Sequence, residues 1–223
     1  MGQAIGEVLP LAIGIAISPI PIIAIILMLL TPQARQNGLA FLGGWLAGLA
    51  IVGTIVLIVA DVAGIATSSG PSRTVSIIKL VLGLLLLFAA WRQLKKRPKP
   101  GEEAHMPGWM RSLDKFTPGR ALAVGALLSG VNPKNLILNA SAAAGIAQAG
   151  LGGFQQALVL IVLILVGSIG VAAPVAIYLT MHDRADHVLT EWKTWLAANN
   201  ATVMFVLLLV FGVVLIGKGI SGL

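Results

Sequence analysis

A lysine and several amides interrupt a strongly apolar stretch in the second half of the chain. Asn132, Pro133, Lys134 and Asn135 are consecutive, and Asn139 follows one helical turn later, all within the apolar segment 121–149. A charged lysine near the middle of a bilayer is costly, so such residues are usually functional. The ammonium can bind an anionic headgroup or a carboxylate, or carry a proton, and the amides supply donors and acceptors. Alternatively, the lysine extends to the interface from a re-entrant loop.

A second interruption lies in the first apolar segment, where Ser18-Pro19-Ile20-Pro21 stands within residues 5–30. Proline lacks a backbone donor and clashes with the preceding turn, so it kinks or opens a helix. An opened helix survives in lipid only where protein or water receives the freed groups. A half-helix beginning at Ile20 would offer N–H groups and a positive dipole end to an anionic or carbonyl-bearing substrate; a packing kink is the alternative. The predicted substrate site comprises Ser18, Pro19, Pro21, Asn132, Pro133, Lys134, Asn135 and Asn139.

Composition predicts an all-α integral membrane protein. The chain is 57% hydrophobic and 10% charged, its mean hydropathy is +0.96, and soluble domains carry about 25% charged residues. Cysteine is absent, which excludes thiol chemistry. The sequence contains no nucleotide-binding or hydrolase motif and no His–carboxylate cluster within an apolar segment. We therefore expect no enzymatic activity, no metal and no cofactor.

Six apolar segments are long enough to cross a bilayer, which takes about 20 residues. They are residues 5–30, 39–59, 75–94, 121–149, 154–181 and 201–220. A shift of 114 positions places Pro19 on Pro133 and Gly53 on Gly167. Three spans per half insert in opposite directions, which predicts a 3+3 inverted-topology repeat with broken helices one and four. The predicted units are a first three-helix repeat (1–97), a cytoplasmic linker (98–119) and a second three-helix repeat (120–223).

Basic residues predict the orientation. Eight of the 15 lysines and arginines lie from Arg92, at the end of span three, to Arg120, just before span four. This loop is therefore predicted to be cytoplasmic and both termini outside the inner (plasma) membrane. The same clustering argues against a nucleic-acid partner. Asp61, at the end of span two, is either a cap or an ion-pair or proton site with Lys134. Gly44 and Gly48 form a small-residue face for packing within the chain or for a homodimer. Residues 187–196 are predicted to form an amphipathic helix on the membrane surface.

The chain resembles the lysine exporter (LysE) superfamily in its six-span layout, in the segment Gly-x-x-x-Ser-Pro-x-Pro from Gly14 to Pro21, and in Asn132-Pro133-Lys134-Asn135. Within that superfamily it looks most like the GAP branch, the peptidoglycolipid addressing proteins. The resemblance implies an exporter, and the GAP branch implies lipid or glycolipid substrates. Amino-acid exporters of the superfamily have Gly-Pro-Gly where this chain has Ser-Pro-Ile-Pro, a departure that disfavours an amino-acid substrate.

The predicted function is therefore export of a lipid or glycolipid with an anionic headgroup toward the cell envelope, bound by Lys134 and oriented by Ser18, Asn132 and Asn135. One alternative is an exporter of small solutes, either amino acids or ions. The other is a scaffold in a lipid-synthesis complex that transports nothing. A groove open sideways to lipid would favour the lipid substrate, and a narrow hydrated cavity would favour the small solute.

Overall fold

The computed structural model describes residues 1–63, 73–95, 116–181 and 184–223. These residues form helices joined by short turns, and they contain no strand. Most of the predicted linker 98–119 lies outside the described residues, as does His105. The helices are α1 (Gly2–Ala16), α2 (Pro19–Leu29), α3 (Ala34–Val62), α4 (Arg73–Lys95), α5 (Pro118–Gly130), α6 (Pro133–Gln148), α7 (Gly153–Met181) and α8 (Ala185–Ile220).

Two apolar segments are broken helices, as the proline clusters predict. α1 and α2 meet at an angle of 53°, and α5 and α6 at 63°. In both cases two non-helical residues separate the halves, and a proline is the first residue of the second half. The described residues thus contain four helices that are long and apolar enough to cross a membrane, or up to six spans if each bent pair counts as one.

The last helix differs from its prediction. Residues 187–196 are not a separate surface helix but the first part of α8, which runs unbroken over 36 residues. Leu189 and Ala185 are buried near its beginning, because this end of α8 packs against α2 and α7. Tertiary packing therefore continues the helix through the polar pair Asn199 and Asn200, where the apolar pattern weakens.

Glycines allow α3 and α5 to pack backbone against backbone. A β-carbon added at Gly44 would collide with the carbonyl group of Leu122, and one added at Gly48 with the Ser129 hydroxyl. On the facing helix, a β-carbon at Gly125 would collide with the Phe41 carbonyl. The Gly44 and Gly48 face is therefore occupied by α5 of the same chain, as the intrachain alternative predicts.

Helix pairs from the two halves pack in corresponding ways. α3 packs on α5 as α7 packs on α1, α3 contacts α6 as α7 contacts α2, and α4 pairs with α8. α3 and α7 also contact each other, near the centre of the bundle. The correspondence is incomplete, because α1 packs closely on α6 while α2 and α5 share no comparable interface. The α1–α6 contact brings the two breaks together.

Candidate substrate site

The break between α1 and α2 leaves carbonyl groups without their usual donors. Residues 19 and 21 would normally supply the amide hydrogens for the carbonyl oxygens of Ile15 and Ile17, and both are proline. The hydroxyl of Ser18 lies 2.7 Å from the Ile15 oxygen and replaces one donor. Pro19 and Pro21 also remove two amide hydrogens from the first turn of α2, so this turn is poorer in anion-binding groups than the sequence prediction assumed.

Lys134 donates hydrogen bonds to groups at the end of α1 that lack a helical donor. Its Nζ donates to the carbonyl oxygens of Gly14 at 2.5 Å and Ile17 at 2.9 Å, and to the Ser18 Oγ at 2.8 Å. An ammonium has three hydrogens, so each has an acceptor within the protein. The C-terminal end of a helix also carries a partial negative charge. A buried lysine, 3% exposed, is thus stabilised by a helix end and not by a carboxylate.

The asparagines complete the second break. The side-chain oxygen of Asn132 accepts the backbone N–H of Lys134 at 3.1 Å and caps α6. The amide nitrogen of Asn135 donates to the carbonyl oxygen of Leu128 at 3.0 Å. This carbonyl has no donor in its own helix because α5 ends two residues later. The Ser18 Oγ lies 3.1 Å from the Asn135 Oδ1. The two breaks are thus joined by direct hydrogen bonds between residues more than 110 positions apart.

Asn139 connects this cluster to α3. Its Nδ2 donates to the Leu49 carbonyl oxygen at 3.0 Å, while its Oδ1 is buried and has no hydrogen-bond partner among the described residues. A β-carbon added at Gly53 would lie 3.4 Å from this oxygen. An unpaired buried acceptor is unfavourable, so this oxygen could accept a hydrogen bond close to the breaks.

The structure brings together Ser18, Lys134, Asn135 and, through the backbone, Asn132. Pro19 and Pro21 are buried at the start of α2, whereas Pro133 is exposed at the start of α6. Asn139 lies one turn further along α6. Asp61 does not join them: it is exposed at the penultimate position of α3, and the three acceptors of the Lys134 ammonium are oxygens of α1 and Ser18. The ion pair considered for Asp61 and Lys134 is therefore not present in this structure.

An apolar groove of about 570 Å³ lies beside the first break, between α2, α7 and the beginning of α8. Ile169, Trp192 and Trp195 line it and are between 41% and 59% exposed, so the groove is open at the side of the bundle. A β-carbon added at Gly170, also in the lining, would collide with the Ala16 carbonyl. The groove therefore adjoins the end of α1.

A second, polar cavity of about 530 Å³ lies at the other end of α8, between α1, α4, α6 and α8. It contains Glu7, Lys79 and Lys218, each of which looks unremarkable in its own segment. The sequence offers one signal for it: Ser141 and Gln148 follow Lys134 at intervals of seven residues, which places all three along one stripe of α6. The described residues contain no group of three His, Cys, Asp or Glu placed to hold a metal.

These features define a multi-pass helical membrane protein with two interrupted helices joined in its core. Comparison with family models gives a more specific placement: the chain belongs to the family described as Sap, sulfolipid-1-addressing protein, whose model matches residues 8–221. The family connects the chain with sulfolipid addressing, a lipid-related role at the membrane. Neither a curated protein nor a solved structure matches the chain.

Proposed function

We propose that this protein exports a lipid or glycolipid with an anionic headgroup across the inner membrane toward the cell envelope. The apolar groove between α2, α7 and α8 carries the proposal, because an opening at the side of the bundle suits an acyl chain arriving from the bilayer. Its volume, about 570 Å³, falls within the roughly 300–1,000 Å³ of ligand pockets. The family description supports a lipid substrate. No enzymatic activity and no cofactor belong to the proposal.

The proposed machinery is a 3+3 inverted repeat of the kind found in secondary transporters, with LysE superfamily ancestry. The similar construction of the two breaks and the corresponding helix contacts support it. In the conformation described, Lys134 holds the end of α1 against α6. An anionic headgroup would compete with the Gly14 and Ile17 carbonyls for the ammonium, and its binding would release α1 from α6. Ser18, Asn132 and Asn135 would then orient the headgroup.

The same geometry favours one other function. Because all three hydrogens of Lys134 have acceptors inside the protein, the cluster also suits a static scaffold in a lipid-synthesis complex. The two functions differ in whether a lipid crosses the membrane. A small-solute exporter is less well supported, since the groove lined by Trp192 and Trp195 is apolar and open to the side.

Filling the groove tests lipid export directly. Ala173 lies in the groove lining and is half-buried, so Ala173→Trp should fill the groove. We expect lipid translocation to fall at least about tenfold, because the acyl chain loses the burial of a few methylene groups. The measurement is translocation of a fluorescent sulfated glycolipid in proteoliposomes, with the unsulfated glycolipid alongside. The control is Leu165→Trp, on α7 and 60% exposed outside the groove. Equal translocation by Ala173→Trp and the unmodified protein would exclude the groove as the lipid path.

The proposed orientation places both termini outside and the loop between α4 and α5 in the cytoplasm. The chain contains no cysteine, so His105→Cys provides a unique label in that loop. We expect an impermeant maleimide to label it only after the cells are opened, while a cysteine at Gln3 is labelled in intact cells. Labelling of position 105 in intact cells would show that the loop is outside and would contradict the proposed orientation.

A further inference from the structure

The polar cavity at the C-terminal end of α8 has an unusual balance of charges. Lys79 of α4 and Lys218 of α8 both line it, and Glu7 of α1 supplies one carboxylate. Lys79 Nζ donates to the Gln148 side-chain oxygen at 3.3 Å, and Lys218 Nζ donates to the backbone oxygen of Glu7 at 3.1 Å. Within the described part of the chain, neither ammonium forms an ion pair with a carboxylate. Because an ammonium has three hydrogens, each retains hydrogens without an acceptor among the described residues.

Two uncharged donors in or beside the cavity also lack hydrogen-bond partners among the described residues. The Gln148 Nε2 is buried and unpaired, although the oxygen of the same amide accepts from Lys79. The Ser141 hydroxyl is unpaired as well, and Ser141 is only 3% exposed. Ser141 lines a small recess that shares Glu7, Lys79 and Lys218 with the cavity. The recess has a volume of about 10 Å³ and adjoins the cavity, which places the Ser141 hydroxyl beside the two lysines.

We propose that this cavity is a binding site for an oxyanion, a sulfate or phosphate group. The vacant groups are an amide NH2, a hydroxyl and the spare hydrogens of two ammonium groups, all of which donate to anionic oxygens. A cation of similar size would meet two positive charges and one carboxylate. The groups come from α4, α6 and α8, so an anion held there would bridge helices of both halves. The site does not depend on the proposed lipid export, and either can fail without the other.

Titration of the purified full-length protein with sodium sulfate and sodium phosphate tests the site, with sodium chloride matching the ionic strength. We expect the paired substitution Lys79→Gln and Lys218→Gln to weaken sulfate binding at least about tenfold, since charge-assisted hydrogen bonds are lost. Lys193→Gln removes one positive charge from the opposite end of α8 and should change the affinity less than about twofold. Unchanged affinity in the paired variant would overturn the proposal.

Ser141→Ala gives a second measurement that does not change any charge. Because the hydroxyl has no partner among the residues that the structure describes, its removal should leave the melting temperature unchanged or slightly higher. Sulfate affinity should nevertheless fall about threefold or more, as expected for the loss of one hydrogen bond. A lower melting temperature with unchanged sulfate affinity would show that the hydroxyl is structural and would contradict the proposal.

Nanodiscs distinguish the source of the oxyanion. Phosphatidylcholine nanodiscs containing a sulfated glycolipid should displace bound sulfate if the site receives a lipid headgroup, and nanodiscs with the unsulfated glycolipid should not. Displacement by free phosphate alone would assign the site to a soluble anion. Either result supports an oxyanion site, whereas no binding of sulfate, phosphate or the sulfated glycolipid would remove it.

Discussion

Replacement of Lys134 by methionine is expected to abolish lipid translocation. The substitution leaves the carbonyl oxygens of Gly14 and Ile17 and the hydroxyl of Ser18 without the donor they share. Buried groups that lose a charged donor are costly, and relief from burying the ammonium offsets only part of that cost, so we expect the free energy of unfolding to fall by about 2–4 kcal/mol. Lys134→Arg should restore translocation only in part, because the planar guanidinium group cannot make the three hydrogen bonds that the compact ammonium makes.

Two measurements separate the roles of this lysine. Translocation of the fluorescent sulfated glycolipid reports transport, and thermal melting with and without that lipid reports stability and binding. Lys193→Met, which removes a lysine from the beginning of α8, serves as the control and should leave both unchanged. A Lys134→Met protein that is well folded and transports fully would remove the residue from the mechanism, and with it the argument for headgroup binding at the breaks.

Replacement of Gly44 by alanine is expected to be the most damaging change among the helix-packing positions. A β-carbon there would collide with the backbone of α5 at Leu122, which cannot move aside as a flexible side chain would. Overpacking of this kind costs about 3 kcal/mol, a large share of the roughly 5–15 kcal/mol by which native proteins are stable. Denaturant titration in detergent micelles measures the loss.

The neighbouring glycine supplies a matched control. A β-carbon at Gly43 would have no atom within 4 Å, so Gly43→Ala should be neutral or stabilising by up to about 1 kcal/mol, since alanine is the better helix former. Both substitutions add one methyl group to the same helix. Equal stability of the two variants would contradict the close α3–α5 contact.

Local chemistry explains why the positions of the breaks are predictable from the sequence. Pro19 and Pro133 each start a half-helix. Proline has no amide hydrogen with which to continue the preceding helix, and its fixed φ suits the first turn of a new one. Hydropathy likewise predicts the positions of α3, α4 and α7 to within a few residues. The sequence also predicts that a charged Lys134 needs a partner from another span, from water or from the substrate. These statements depend on a residue and its immediate neighbours.

The identity of that partner depends on distant residues. The acceptors of Lys134 are backbone oxygens at Gly14 and Ile17, and a backbone oxygen has no signature in the side-chain sequence. The polar cavity was missed for a similar reason: Glu7, Lys79 and Lys218 lie on three segments, and each alone resembles an interfacial charge. Only the packing of α1, α4 and α8 brings them together.

The unbroken course of α8 has a mechanical consequence. At about 1.5 Å per residue, its 36 residues extend roughly 54 Å, well beyond the roughly 30 Å of hydrocarbon. It contains no proline, so it behaves as a stiff rod with Trp195 at the groove and Lys218 at the polar cavity. If the proposed lipid export holds, an acyl chain beside Trp195 would tilt α8 at that end, and a stiff helix would carry the tilt to Lys218. Under the proposed lipid export, occupancy of the groove would then alter the width of the cavity at the other end of α8, without any change inside the helix itself.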